Sequence, residues 1–159
     1  MSATRLLFSE VQPEQALPPL TVEVTTTLVV LGALASRDWR PMHHDRDFAV
    51  QRNGVRDVFM NTPNQAAWFE RYITDWTGPT GRIGRMKFRM KDSIFPGDSM
   101  VLSGRVVART LDAQQCGWLD LRLCIHAGAR LATECEARVA LPLDTEDNPW
   151  RRRGESWQP

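Results

Sequence analysis

The sequence predicts an α+β domain in which one long helix is wrapped by a curved antiparallel sheet. Two observations carry this. A single strong helical pattern lies near the middle of the chain, and four strand candidates separated by turn signals follow it. One helix that is apolar on more than one side cannot bury itself alone, and a sheet bent around it is the economical packing.

The bulk properties suit such a domain. The 159 residues are enough for one core of ordinary size, and 42% hydrophobic with 25% charged residues is globular composition. Twenty basic residues against nineteen acidic ones leave a charge of +1, so nothing favours nucleic acid as a partner. The most apolar run, Leu28 to Ala35, is far short of the roughly 20 residues needed to cross a bilayer. The first residues do not read as a signal peptide. Cys116, Cys124 and Cys135 are odd in number and lack metal-ligand spacing, which predicts reduced thiols and a cytoplasmic protein.

Along the chain, residues 1–20 carry Pro13, Pro18 and Pro19 and read as an irregular arm before a domain at 21–143 and a tail at 144–159. Thr21 to Val30 is Thr- and Val-rich and reads as a first strand. Leu31 to Arg37 has room for one or two helical turns before Pro41. Asp45 to Arg52 is a short helix candidate closed by Asn53-Gly54. Thr62-Pro63-Asn64-Gln65 has a cap, Pro at the first helical position and Gln three residues on. Ala66, Phe69, Ile73 and Trp76 then recur at helical spacing until Gly78-Pro79, predicting a helix of about 15 residues, roughly 22 Å long. Arg85 to Lys91 alternates strictly, Phe95-Pro96-Gly97-Asp98 turns, and Ser99 to Ala108, Trp118 to His126 and Leu131 to Leu141 supply three more strands.

The chemistry concentrates in Asp38-Trp39-Arg40-Pro41-Met42-His43. Pro41 keeps Arg40 out of the helical region, so the loop is bent and extended and both Asp38 and His43 can face one point. A carboxylate and an imidazole converging on one water can polarise it and return a proton to the product. Free N–H groups at the start of the long helix, those of Thr62 and Asn64, are candidate donors to an oxyanion, since Pro63 has none. His44 reads as structural or exposed. Adjacent residues such as His43-His44-Asp45 converge poorly on one ion, so no metal is expected.

The spacing Asp38-x-x-Pro41-x-His43, with an acidic residue and Phe48-Ala49 after it, resembles the hydratase signature of the MaoC-like (R)-specific enoyl-CoA hydratases. Phe95-Pro96-Gly97-Asp98 resembles a turn these proteins carry after the helix. The run Ala35 to Asp47, with Arg71-Tyr72 and Thr74-Asp75-Trp76, is similar to the small catalytic subunit of actinobacterial steroid side-chain enoyl-CoA hydratases. The resemblance spans roughly residues 21–141. It departs at Arg40, where the family usually has Asn, and at Thr62, where it usually has Gly.

The resemblance implies a hot-dog fold and the syn, metal-free hydration of a trans-2-enoyl-CoA to a 3-hydroxyacyl-CoA, or the reverse, with a bulky acyl group such as a steroid side chain. Asp38 and His43 would bind the attacking water, their acid and base roles left open. No cofactor is implied, because coenzyme A is part of the substrate. Arg40, Asn61, Arg85 and Lys87 are the candidate substrate-binding residues. The implied assembly is a homodimer joined sheet edge to sheet edge, or a heterotetramer with a second MaoC-like chain bearing an OB-type domain. The two Trp of the tail suggest docking on that partner. Two rival readings are an acyl-CoA thioesterase of the same fold, using Glu70 on the helix, and a non-catalytic subunit whose partner does the chemistry.

Overall fold

The computed structural model describes residues 5–159. Its elements follow as strand β1 (Ala16–Glu23), helices α1 (Thr26–Ala35), α2 (Arg46–Asn53) and α3 (Thr62–Thr77), then strands β2 (Arg82–Met90), β3 (Ser99–Leu111), β4 (Gly117–Ala127) and β5 (Arg130–Leu141). The strands form one antiparallel sheet in the order β1-β3-β4-β5-β2. This is the α+β architecture the sequence predicts, in the hot-dog arrangement.

The sheet buries its inner face against α3. Leu102, Leu121, Leu123, Ile125 and Val139 are fully or almost fully buried, and so are Phe69 and Ile73 of the helix. Full burial of one such side chain contributes about 1.5–3 kcal/mol. The register pairs inner residues with inner, as in Leu102↔Ile125 and Leu121↔Ala137. The outer face carries charge, with Lys87, Glu136 and Arg122 adjacent across β2, β5 and β4.

The N-terminal third differs from the expected layout. Ala16–Glu23 is already strand, and the Thr-rich stretch after it is helix from Thr26. Pro18 and Pro19 are tolerated because β1 is an edge strand whose pairing with β3 shifts between Leu17 and Leu20. The helix follows because the Thr25 side chain accepts from the Leu28 amide as an N-cap. Of the expected arm, residues 1–4 lie outside the described residues; Phe8–Glu10 is a short 3-10 turn.

The tail folds back on its own chain. Trp157 packs on Trp118, ring centroids 4.8 Å apart, and the Arg82 guanidinium lies 3.6 Å from the Trp157 centroid. Trp118, Cys116 and Ala140 form a small apolar cluster apart from the main core, and Trp157 covers it. That local apolar patch is what draws the second Trp in.

Candidate functional site

Asp38 is placed by the end of α1. Arg37 adopts a left-handed conformation (φ 54°), the Asp38 amide donates to the Ala33 carbonyl (2.9 Å) and the Arg37 amide to the Leu34 carbonyl (3.0 Å). These two bonds are a Schellman motif, usually built on Gly, and here they fix the backbone of the acid itself. Past it, Arg40 is extended before Pro41, and Pro41–His43 forms a 3-10 turn. The bent loop expected from Pro41 is present.

His43 is buried, with Nδ1 2.8 Å from the Phe59 carbonyl oxygen. A carbonyl can only accept, so Nδ1 carries hydrogen and donates, leaving the Nε2 lone pair free in the neutral ring. Nε2 stands 3.5 Å from Asp38 Oδ2. Two acceptors at that separation make no good direct bond, but one water could donate a hydrogen to each.

The carboxylate is heavily held. Arg40 grips it bidentately, Nε to Oδ1 at 2.8 Å and Nη2 to Oδ2 at 2.7 Å, and Asn61 Nδ2 donates to Oδ2 at 3.0 Å. The Arg40 guanidinium beside Asp38 holds its carboxyl well below the usual carboxylate range, although burial pulls the other way; Asn61 adds to the lowering.

His43 opens on a cleft of about 380 Å³ bordered by Met42, Phe59, Thr62, Gln65, Met90 and Lys91, together with Arg40 and Asn61, the two residues that hold Asp38. Gln65 is fixed by the Thr133 hydroxyl, which donates to its carbonyl oxygen. Packing of α1 against the start of α3 needs Gly32, because a Cβ there would stand 1.9 Å from Asn64 Nδ2.

Several candidate residues occupy different places from those expected. The N-cap of α3 is Asn61, not Thr62, and its Oδ1 accepts from the Asn64 amide at 3.2 Å. The Asn64 N–H is therefore already engaged and is no free oxyanion donor; Thr62 sits at N1 on the cleft wall. Asn61, 1% exposed, borders the cleft and is bonded to Asp38 and Ser36, which makes it a support for the acid. Arg40 is committed to Asp38. Arg85 and Lys87 alternate with inward Met86 and Phe88, so they lie on the outer face of the sheet, away from the cleft. Glu70 is exposed on α3 and does not border the cleft.

The Phe59 carbonyl, Gln65 and the Met90–Ser93 segment of the cleft went unrecognised in the sequence. Only the Gln65 position in the helix entry carried a local signal, and that signal reads as capping.

No family model matches the chain. It is 38% identical over 92 residues to the 3-oxo-4,17-pregnadiene-20-carboxyl-CoA hydratase beta subunit of Mycobacterium tuberculosis, covering 58% of this chain and 70% of that one. Among solved structures it is similar to the ChsH1-ChsH2 complex from Mycobacterium tuberculosis, with TM-score 0.75, 28% identity, and coverage of 82% of this chain and 98% of that chain. The (R)-hydratase from A. caviae involved in PHA biosynthesis shares the fold, with TM-score 0.71 at 23% identity over 83% of this chain and 98% of that one.

Proposed function

Starting from the fact that the chain belongs to the MaoC-like (R)-specific enoyl-CoA hydratases, with a steroid side-chain hydratase subunit among its relatives, we propose that Asp38 and His43 are the residues with which it hydrates its substrate. The observation that carries this assignment is the approach of Asp38 Oδ2 to His43 Nε2, 3.5 Å apart, with His43 on the wall of the cleft and Asp38 held by Arg40 and Asn61, two further residues of that wall.

The chain is an enoyl-CoA hydratase, and the chemistry follows from that geometry. A water between the two acceptors donates one hydrogen to each and turns a lone pair toward the β-carbon of the enoyl thioester. Its oxygen bonds to that carbon as the C=C π electrons move to the α-carbon and thioester oxygen, giving an enolate. His43 takes the proton, an imidazole being ordinarily a stronger base than a carboxylate, and the same proton then goes to the α-carbon. The Thr62 N–H at the start of α3 is the amide suited to the enolate oxygen.

The acyl group we assign is bulky, a steroid side chain, following the 3-oxo-4,17-pregnadiene-20-carboxyl substrate in the relative's name. The partner we assign is a second, different chain of the same kind, as in the ChsH1-ChsH2 complex. Leu31 (58% exposed) and Trp39 (66%), apolar side chains beside the dyad loop, support such a cover.

The test is a panel of enoyl-CoA thioesters offered to the protein with its co-purified partner. Hydration consumes enoyl absorbance without releasing thiol, and Asp38→Asn and His43→Ala each lower kcat by about 10²–10⁴-fold with the fold intact. Thiol release would replace hydration by thioester hydrolysis, and full activity in both variants would move the chemistry to the partner.

A further inference from the structure

We infer that Arg40 is a removable latch on Asp38, and that the cleft becomes competent only when the guanidinium leaves the carboxylate. The inference rests on the hydratase reading above and concerns what must happen before water can bind.

A carboxylate offers about four lone-pair sites. All four are used here. Oδ1 receives Arg40 Nε at 2.8 Å and the Arg40 backbone amide at 3.4 Å; Oδ2 receives Arg40 Nη2 at 2.7 Å and Asn61 Nδ2 at 3.0 Å. A water meant to lie between Oδ2 and His43 Nε2 finds no free acceptor on the acid. One donor has to go.

The two side-chain donors differ in what holds them. Asn61 is buried, bonded to Ser36 and engaged as the cap of α3. The Arg40 side chain is 62% exposed and its guanidinium bonds only to Asp38 among the described residues. An exposed cation released from an ion pair is resolvated at little cost, whereas removal of Asn61 would undo a helix terminus. Arg40 also borders the cleft, so a thioester bound there lies beside it.

No other charge competes for Asp38. From its own loop it faces Arg40 and His43; from α1 and the start of α3 come only the Ser36 hydroxyl, through Asn61, and the Asn61 amide. Lys91 and Asp92, on the strand side of the cleft, are paired with Glu134 and Arg130.

Two measurements on the assembled enzyme decide the matter. The first is a crystal structure with butyryl-CoA, a saturated analogue that cannot be hydrated. Arg40 Nη2 should be beyond hydrogen-bond distance of Asp38 Oδ2, with water in its place; an intact bidentate pair over the bound thioester would overturn the latch. The second compares wild type with Arg40→Ala on the best enoyl-CoA of the panel. Removing an exposed ion pair that must otherwise be broken should raise kcat/KM about threefold to tenfold. The acid limb of the pH profile should also move up, and added salt should stimulate wild type but not the variant. An unchanged or lower kcat/KM with an unmoved acid limb would make Arg40 a fixed positioning residue. If wild type hydrates no enoyl-CoA, the hydratase reading falls and the butyryl-CoA complex alone decides the latch.

Discussion

Asn61 ties Asp38 to the entry of α3: its Nδ2 donates to Asp38 Oδ2 at 3.0 Å while its Oδ1 accepts from the Asn64 amide at 3.2 Å. One side chain thus sets the acid and starts the helix. Asn61→Ala should remove the cap, costing about 1 kcal/mol, which for a chain of this size lowers Tm by about 2–4 °C. It should also lower kcat about tenfold or more, because Asp38 loses its one buried donor. Asn61→Asp keeps the cap but sets a second carboxylate beside the first, which raises the pKa of Asp38. Its acid limb of activity should therefore move to higher pH while Tm stays closer to wild type.

Gly32→Ala sets two effects against each other. In an exposed helix the change would stabilise by about 1 kcal/mol. Here the new Cβ meets Asn64 at Nδ2 (1.9 Å) and Cγ (2.3 Å), so overpacking of about 1–3 kcal/mol wins and α1 is pushed from α3. Thermal unfolding should show the loss. The double variant with Asn64→Ala should recover most of it.

The ion pair of Asp38 links stability to pH with a definite sign. Arg40 lowers the folded-state pKa below the ordinary value of about 3.9, so the stabilisation is complete above that value. It is lost as pH falls below about 4 toward the folded value, because the unfolded chain takes up the proton first. The Tm difference between wild type and Asp38→Asn should therefore be the same at pH 7 and 5.5 and should shrink by pH 3. A difference that grew on acidification would contradict the lowered value.

The three thiols should separate by accessibility. Burial pushes Cys135 up to about 12 and Cys116 up to about 11, whereas Cys124 is half-buried on the outer face of the sheet. At pH 8 a thiol reagent should titrate Cys124 quickly in the native protein, and all three only in denaturant. Rapid titration of all three in the native state would mean that the sheet opens.

The amino-acid sequence by itself determined the architecture of the second half and the chemistry of the loop. The periodicity of Ala66, Phe69 and Ile73, the strict alternation from Arg85, and Pro41 between an acid and an imidazole are local patterns, and local sterics and burial enforce them. Only the tertiary structure decided what those groups touch. Whether Ala16–Glu23 is strand or arm depends on an open edge of β3 to pair with. Whether the Asn64 amide is free depends on the rotamer of Asn61, and the outward aim of Arg85 and Lys87 depends on which face α3 fills. Trp157 found Trp118, some forty residues back, because an uncovered apolar cluster on the same chain lay within its reach. Hydrogen bonds and packing between residues far apart in the chain leave no periodic trace, and one such contact, from Asn61, ties Asp38 to the helix entry.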